Sequence, residues 1–142
     1  MTPFIAVPLS ETLSVTGQIS PTDLQSIAAA GFKSIVCNRP DGESPGQFSS
    51  QDIATAARQA SLILEYLPVA PGQVGPQDGR EFGELLSRLP SPVLAYCRSG
   101  MRSATLWALS QAGSRPWPEL VQRAAQAGFD LRGVTPPTNA SV

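Results

Sequence analysis

The sequence predicts an α/β domain in three layers, with a mostly parallel central sheet flanked by helices. Strand-length runs ending at Cys37, Val69 and Tyr96 alternate with helical patterns between residues 32 and 127, the order that builds parallel sheets. Ile35-Val36-Cys37 is apolar throughout, as a strand buried on both faces is. Turn-rich loops follow these strands, at the edge where parallel sheets hold their ligands.

The elements follow in order. Phe4-Ile5-Ala6-Val7 is continuously apolar and Leu13-Ser14-Val15-Thr16 alternates, so both read as short strands. Ser20 reads as an N-cap with Pro21 at the first helical position. Leu24, Ile27 and Ala28 form the apolar stripe of that helix, and Gly31 closes it. Phe32 to Cys37 is the next strand. After the loop Asn38 to Gly46, Ser49 and Asp52 resemble a capping box for a helix to about Ala60. Leu62 to Val69 is a strand interrupted near Pro68. Pro76 opens a helix to Leu89 with Asp78 in its first turn and Phe82, Leu85, Leu86 and Leu89 facing the core. Val93 to Tyr96 is a strand, Ser103 to Gln111 a helix ended by Gly113, and Glu119 to Ala127 a helix closed by Gly128. Residues 1–133 read as one domain and 134–142 as a loose tail.

Composition narrows the function. A chain of 142 residues with net charge −1 lacks the basic excess of a nucleic-acid surface. No apolar run approaches the ~20 residues of a membrane span. No basic stretch followed by an apolar core opens the sequence, so the expected place is the cytoplasm, with no membrane or nucleic-acid partner. There is no histidine and there are two cysteines, Cys37 and Cys97. That excludes Ser-His-Asp and Cys-His catalysis and any His-ligated metal. Neither a metal nor a cofactor is expected.

The chemistry concentrates at Cys97-Arg98-Ser99-Gly100-Met101-Arg102-Ser103. A strand ends in a thiol, and a loop with one glycine and two arginines leads into a helix. Backbone N–H groups of such a loop and of the first helical turn converge on one spot and form an anion site. The thiolate is the form that these donors stabilise. Cys97 is the candidate nucleophile, activated by the loop itself. The N–H groups from Arg98 to Ser103 face the bound group, and Gly100 lets the chain curl. Arg102 and Arg98 are placed to hold an oxyanion by bidentate contact. Ser103 caps the helix or donates to the sulfur. The competing reading makes Cys97 a core thiol.

Cys97 through Ser103, with four residues between Cys97 and Arg102, resembles the active loop of rhodanese-type sulfurtransferases, Cys-x4-Arg-Ser/Thr. The rest is carried by Thr16-Gly17-Gln18-Ile19-Ser20, Asn38-Arg39-Pro40-Asp41-Gly42-Glu43, Pro68-Val69, Pro71-Gly72-Gln73 and Ala95-Tyr96-Cys97. From about Val15 to Leu109 it resembles the beta-lactamase-hydrolase-like phosphatase-like domain, a relative of dual-specificity phosphatases. The resemblance implies a protein-tyrosine/dual-specificity-phosphatase-like fold. It also implies a link to sulfide detoxification, because some members are fused to or encoded beside a persulfide dioxygenase.

Two departures from the phosphatase pattern direct the functional expectation to sulfur. Those phosphatases use Cys-x5-Arg, usually with a histidine before the cysteine, where this chain has Tyr96. They also need an aspartic acid as general acid, and Ala70-Pro71-Gly72-Gln73 stands where it is expected. The expected enzyme is therefore a sulfurtransferase. Cys97 takes sulfur from a small sulfur-containing anion such as thiosulfate, or from a persulfide. A thiol such as glutathione, or cyanide, accepts it, and a separate persulfide dioxygenase is a possible partner. The alternative is a cysteine-dependent phosphatase, and a second alternative is a non-catalytic persulfide carrier.

Supporting residues come from neighbouring strand ends. Arg39 and Asp41 lie beside the thiol loop, Asp41 pairing with Arg39, Arg98 or Arg102, serving as acid in a phosphatase, or only making an Asp-Gly turn. Glu43 is read the same way with less weight. Gln73 reaches the bound anion from the third strand end, or is plain loop. Cys37 is a core thiol or a partner that resolves oxidised Cys97.

Overall fold

The protein is described by a computed structural model over residues 4–137. Five strands form one sheet in the order β1-β2-β5-β3-β4, with β1 Val7–Pro8, β2 Leu13–Thr16, β3 Ser34–Cys37, β4 Ile63–Tyr66 and β5 Val93–Tyr96. β1 runs antiparallel to β2, and the other pairings are parallel. Among the described residues five α-helices complete the layers: α1 Leu24–Ala29, led in by a 3-10 turn at Pro21–Asp23, α2 Ser50–Gln59, α3 Pro76–Arg88, α4 Met101–Gln111 and α5 Trp117–Gln126. The fold is the expected α/β type.

Alternation along the strands divides the interior into two cores. Val93 and Ala95 of β5 join Val15, Val36 and residues of α3, α4 and α5 on one face, including Phe82, Trp107 and Leu120. Leu94 and Tyr96 join Ile35, Cys37 and residues of α1 and α2 on the other, including Ile27 and Ile53. The loop before each helix sets its start. Asp52 N–H donates to Ser49 Oγ at 3.0 Å while Asp52 Oδ2 accepts from Ser49 N–H at 3.2 Å, the expected capping box on α2. Asp78 accepts from Gly75 N–H at 2.8 Å and so caps α3.

Several boundaries differ from the sequence reading. Strand β1 is only Val7–Pro8, because Leu9 and Ser10 N–H both turn to the Leu13 carbonyl and end the ladder. β4 is shorter than Leu62 to Val69, and beyond it Leu67 and Val69 N–H still reach the carbonyls of Cys37 and Asn38. α4 starts at Met101 rather than Ser103. After α5, residues 133–137 border a cavity and Val134 packs on the core. The remainder of the segment read as a tail, 138–142, lies outside the described residues.

Helices α3 and α4 touch where α3 has no side chain. A Cβ at Gly79 would stand 2.5 Å from the Leu109 Cβ. Gly79→Leu is expected to destabilise the fold by about 1–3 kcal/mol, the usual cost of overpacking. Thermal unfolding should show a melting point several degrees lower.

The register sets up the site. Tyr96 lies opposite both Thr16 and Cys37. The chain therefore leaves β2, β5 and β3 at one level, and Gly17, Cys97 and Asn38 emerge together at one sheet edge.

Candidate active site

Cys97 follows β5 directly and is 1% exposed. The loop curls beneath its sulfur, and Gly100 N–H donates to Sγ at 3.1 Å. Gly100 can do this because its φ is +97°, in the left-handed region that costs a side-chain-bearing residue free energy. Ala104 N–H makes the first helical bond of α4, to the Gly100 carbonyl. The N–H groups of Arg102 and Ser103 precede that bond and are open to a ligand, as at any helix start. The β2 exit braces the loop, Gln18 N–H donating to the Arg98 carbonyl at 3.2 Å.

Arg102 is fixed by Glu43. Its Nη1 donates to Glu43 Oε2 at 2.6 Å and its Nη2 to Oε1 at 2.9 Å, while Nη1 also donates to the Val69 carbonyl at 2.9 Å. Of the five N–H donors of a guanidinium, these bonds use three. Nε–H and the second Nη2 hydrogen remain, a second fork along the side of the group. The Arg102 pKa is raised by the Glu43 carboxylate foremost, and the nearby Cys97 sulfur adds to the shift.

Glu43 is held in turn by Arg39. Arg39 is 5% exposed and donates from Nε to Glu43 Oε1 at 2.9 Å, from Nη1 to Gln18 Oε1 at 3.0 Å and from Nη2 to Ser44 Oγ at 3.1 Å. Hydrogen bonds from Arg102 first, and then from Arg39, lower the Glu43 carboxyl from 4.5 to about 2. Its folded pKa lies below the unfolded value. The stability it contributes is therefore complete above about pH 4.5 and is lost as pH falls toward 2. Wild type should lose melting temperature more steeply than Glu43→Gln across that window, in calorimetry at matched ionic strength.

The other expected site residues separate. Arg98 and Ser99 are exposed and, with Met101, Arg102, Glu43, Pro71 and Gly72, line a cavity of about 430 Å³ over the loop. Ser103 does not donate to the sulfur. Its single hydroxyl hydrogen goes to Asn38 Oδ1 at 2.8 Å. Asn38 is itself fixed by Nδ2 on the Leu67 carbonyl at 2.9 Å. Asp41 does not pair with an arginine. Both its oxygens accept from Ser50, from N–H at 2.6 Å and Oγ at 2.9 Å, so it anchors the start of α2 and is not placed as an acid. Gln73 is exposed on its loop and borders no cavity over the thiol. Cys37 faces the α1–α2 core, donates to the Arg39 carbonyl at 3.4 Å, and has its thiol pKa pushed up by burial. It packs as a core thiol among the residues of α1 and α2, near enough to Cys97 for that sulfur to add to the shift. Glu43, Gln18 and Asn38 are the residues that sequence reasoning underweighted or missed. All three lie within the matched stretches Thr16–Ser20 and Asn38–Glu43, which was the available signal.

A parallel sheet edge that ends in a thiol loop backed by an arginine is the architecture of phosphatase-like α/β domains. Residues 7–114 match the family model described as "Beta-lactamase hydrolase-like protein, phosphatase-like domain". The chain belongs to that family. It is 35% identical over 132 residues to a beta-lactamase hydrolase-like protein of Agrobacterium fabrum, covering 92% of this chain and 31% of that one. A counterpart from Xylella fastidiosa is 33% identical, with 91% and 31% covered. The chain thus spans about a third of the length of these curated relatives. A crystal structure from Neisseria meningitidis described as a "putative phosphatase" superposes with a TM-score of 0.82 at 34% identity, covering 89% of this chain and 91% of that one. The active form of Tk-PTP shares the fold, with a TM-score of 0.69 at 16% identity, covering 86% of this chain and 83% of that one.

These matches overturn the sulfur-transfer reading, and with it the thiosulfate or persulfide donor and the thiol acceptor. They favour the phosphatase alternative over the persulfide carrier as well. The structure explains why the first of the two departures misled. The loop with four intervening residues still borders a cavity of about 430 Å³ through Arg98, Ser99, Met101 and Arg102. The residue before the cysteine does not touch the loop, because the Tyr96 side chain belongs to the opposite core.

Proposed function

We propose that the chain is a cysteine-dependent phosphatase acting on phosphate monoesters. The observation that carries the reading is the divided guanidinium of Arg102. Its end fork is fixed on Glu43, which leaves its side fork to bind an oxyanion held over the loop. Cys97 thiolate attacks phosphorus, the P–O bond to the leaving group breaks, and that oxygen takes the electron pair. Loop N–H groups and the Arg102 side fork hold the equatorial oxygens as charge develops. Water then attacks the thiophosphoryl group, releases inorganic phosphate and regenerates the thiolate.

The carboxyl groups nearest the loop are committed elsewhere: Asp23, which borders a cavity with Ser99, accepts from Ser20 N–H at 2.8 Å. Glu43 is ionised at neutral pH, with its pKa at about 2, and Asp41 and Asp78 serve as helix anchors. The leaving group departs as an anion.

The test traps the intermediate. Rapid acid quench of the enzyme with p-nitrophenyl phosphate, followed by peptide mapping, should place one phosphoryl group on the peptide containing Cys97. Released phosphate with no label on that peptide would sink the covalent route. Thiosulfate:cyanide turnover at a comparable rate would sink the assignment.

A further inference from the structure

A second cavity adjoins the first and has a different character. It measures about 650 Å³ and lies between the start of α3, the exposed face of α4 and residues 133–137. Val74, Met101, Leu109 and Val134 contribute apolar surface, and Thr105 is spent on the Met101 carbonyl at 2.8 Å. Among the described residues, Arg102 is the sole charged side chain on its wall. Gly72, Met101 and Arg102 also line the cavity over the thiol loop. The two cavities therefore adjoin along Gly72, Met101 and Arg102, with Arg98 and Arg102 on the loop side and a mainly apolar wall beyond.

We propose that this groove is the leaving-group subsite, and that it selects phosphate monoesters of large, apolar, acidic alcohols: aryl phosphates rather than small acyl phosphates. The inference rests on the phosphatase reading. A phosphoryl group held over Cys97 by the Arg102 side fork has its ester oxygen directed away from the sulfur, because attack and departure are in line. Past Arg102, among the described residues, the groove offers no cation for a second phosphate, and besides Thr105 only the Thr135 hydroxyl to meet a sugar. It offers contact area to a flat hydrocarbon, the usual character of a small-molecule subsite. An aryl oxide also leaves without a proton donor, as the committed carboxylates require.

The experiment compares 1-naphthyl phosphate with acetyl phosphate. Each leaving group departs as an anion, naphtholate the more basic of the two, and acetyl phosphate is too small to fill the groove. The readout is the ratio of their kcat/KM values in wild type, Val134→Asp and Thr135→Trp. Taking that ratio between proteins cancels the intrinsic reactivity of each substrate. Val134→Asp puts a negative charge beside the departing anion, and Thr135→Trp fills the groove from an exposed position. In both variants the naphthyl preference should fall at least about tenfold, the scale on which apolar pockets discriminate, with melting points within a few degrees of wild type. An unchanged ratio in the two folded variants overturns the subsite. Turnover of neither substrate by wild type overturns the phosphatase reading and the subsite with it.

Discussion

Replacing Arg102 by lysine should lower kcat/KM for p-nitrophenyl phosphate by about a thousandfold, with most of the loss in kcat. A buried donor aimed at developing charge is worth about 10²–10³ in rate, and here one residue supplies two such donors and their alignment. The guanidinium is planar and rigid, so fixing Nη1 and Nη2 on Glu43 also fixes the direction of Nε and the other Nη2 hydrogen. A lysine ammonium has three donors on one atom and no second edge. It reaches Glu43 or the phosphoryl group, not both in fixed geometry. Steady-state kinetics with a melting curve for each protein is the check. A loss below tenfold in a folded Arg102→Lys would show that the loop N–H groups alone carry the transition state.

The same arrangement explains what the sequence could and could not tell. Strand and helix alternation needs only local pattern, so β2 and β5 are legible to the residue, as is the capping box of Ser49 and Asp52. The loop Cys97 to Ser103 is legible as an anion site because strand, glycine and helix start are contiguous. Partner choice among charges is not. Asp41 and Glu43 are two residues apart on one turn-rich loop. The sequence gives no reason to prefer the second as the partner of Arg102. The decision lies in the third dimension, where Ser50 at the start of α2 captures both Asp41 oxygens and leaves Glu43 to the two arginines. Nor could composition show that Tyr96 turns its ring away from the loop. Read as a substitute for a histidine in the site, it made the departure from the phosphatase pattern look functional, when strand alternation places it in the opposite core. Groove-lining residues 133–137 escaped for a related reason. They have the composition of a tail, and their placement depends on packing against α4.

The absence of an available acid has the second large consequence, a steep dependence of rate on the leaving group. General acid catalysis contributes about 10²–10⁴ in rate, and its share is largest for basic leaving groups. An enzyme that protonates the departing oxygen levels these differences. Here Glu43 remains a carboxylate down to about pH 2, and protonating it would release Arg102 from its fixed orientation, so no pH gives both an acid and an aligned guanidinium. Across aryl phosphates of one shape, with ring substituents spanning several pKa units, log kcat should fall steeply and linearly as the leaving phenol becomes more basic. Alkyl phosphates should react at least about a thousandfold more slowly than p-nitrophenyl phosphate, the contribution forgone. The pH profile should correspondingly lack the alkaline fall that deprotonation of a catalytic carboxylic acid produces. Single-turnover measurements keep hydrolysis of the thiophosphoryl intermediate from masking the trend. A flat plot with rapid alkyl phosphate hydrolysis would mean that a proton donor reaches the leaving oxygen, and the commitment of Asp41 to Ser50 and of Glu43 to the arginines would then have to break during turnover.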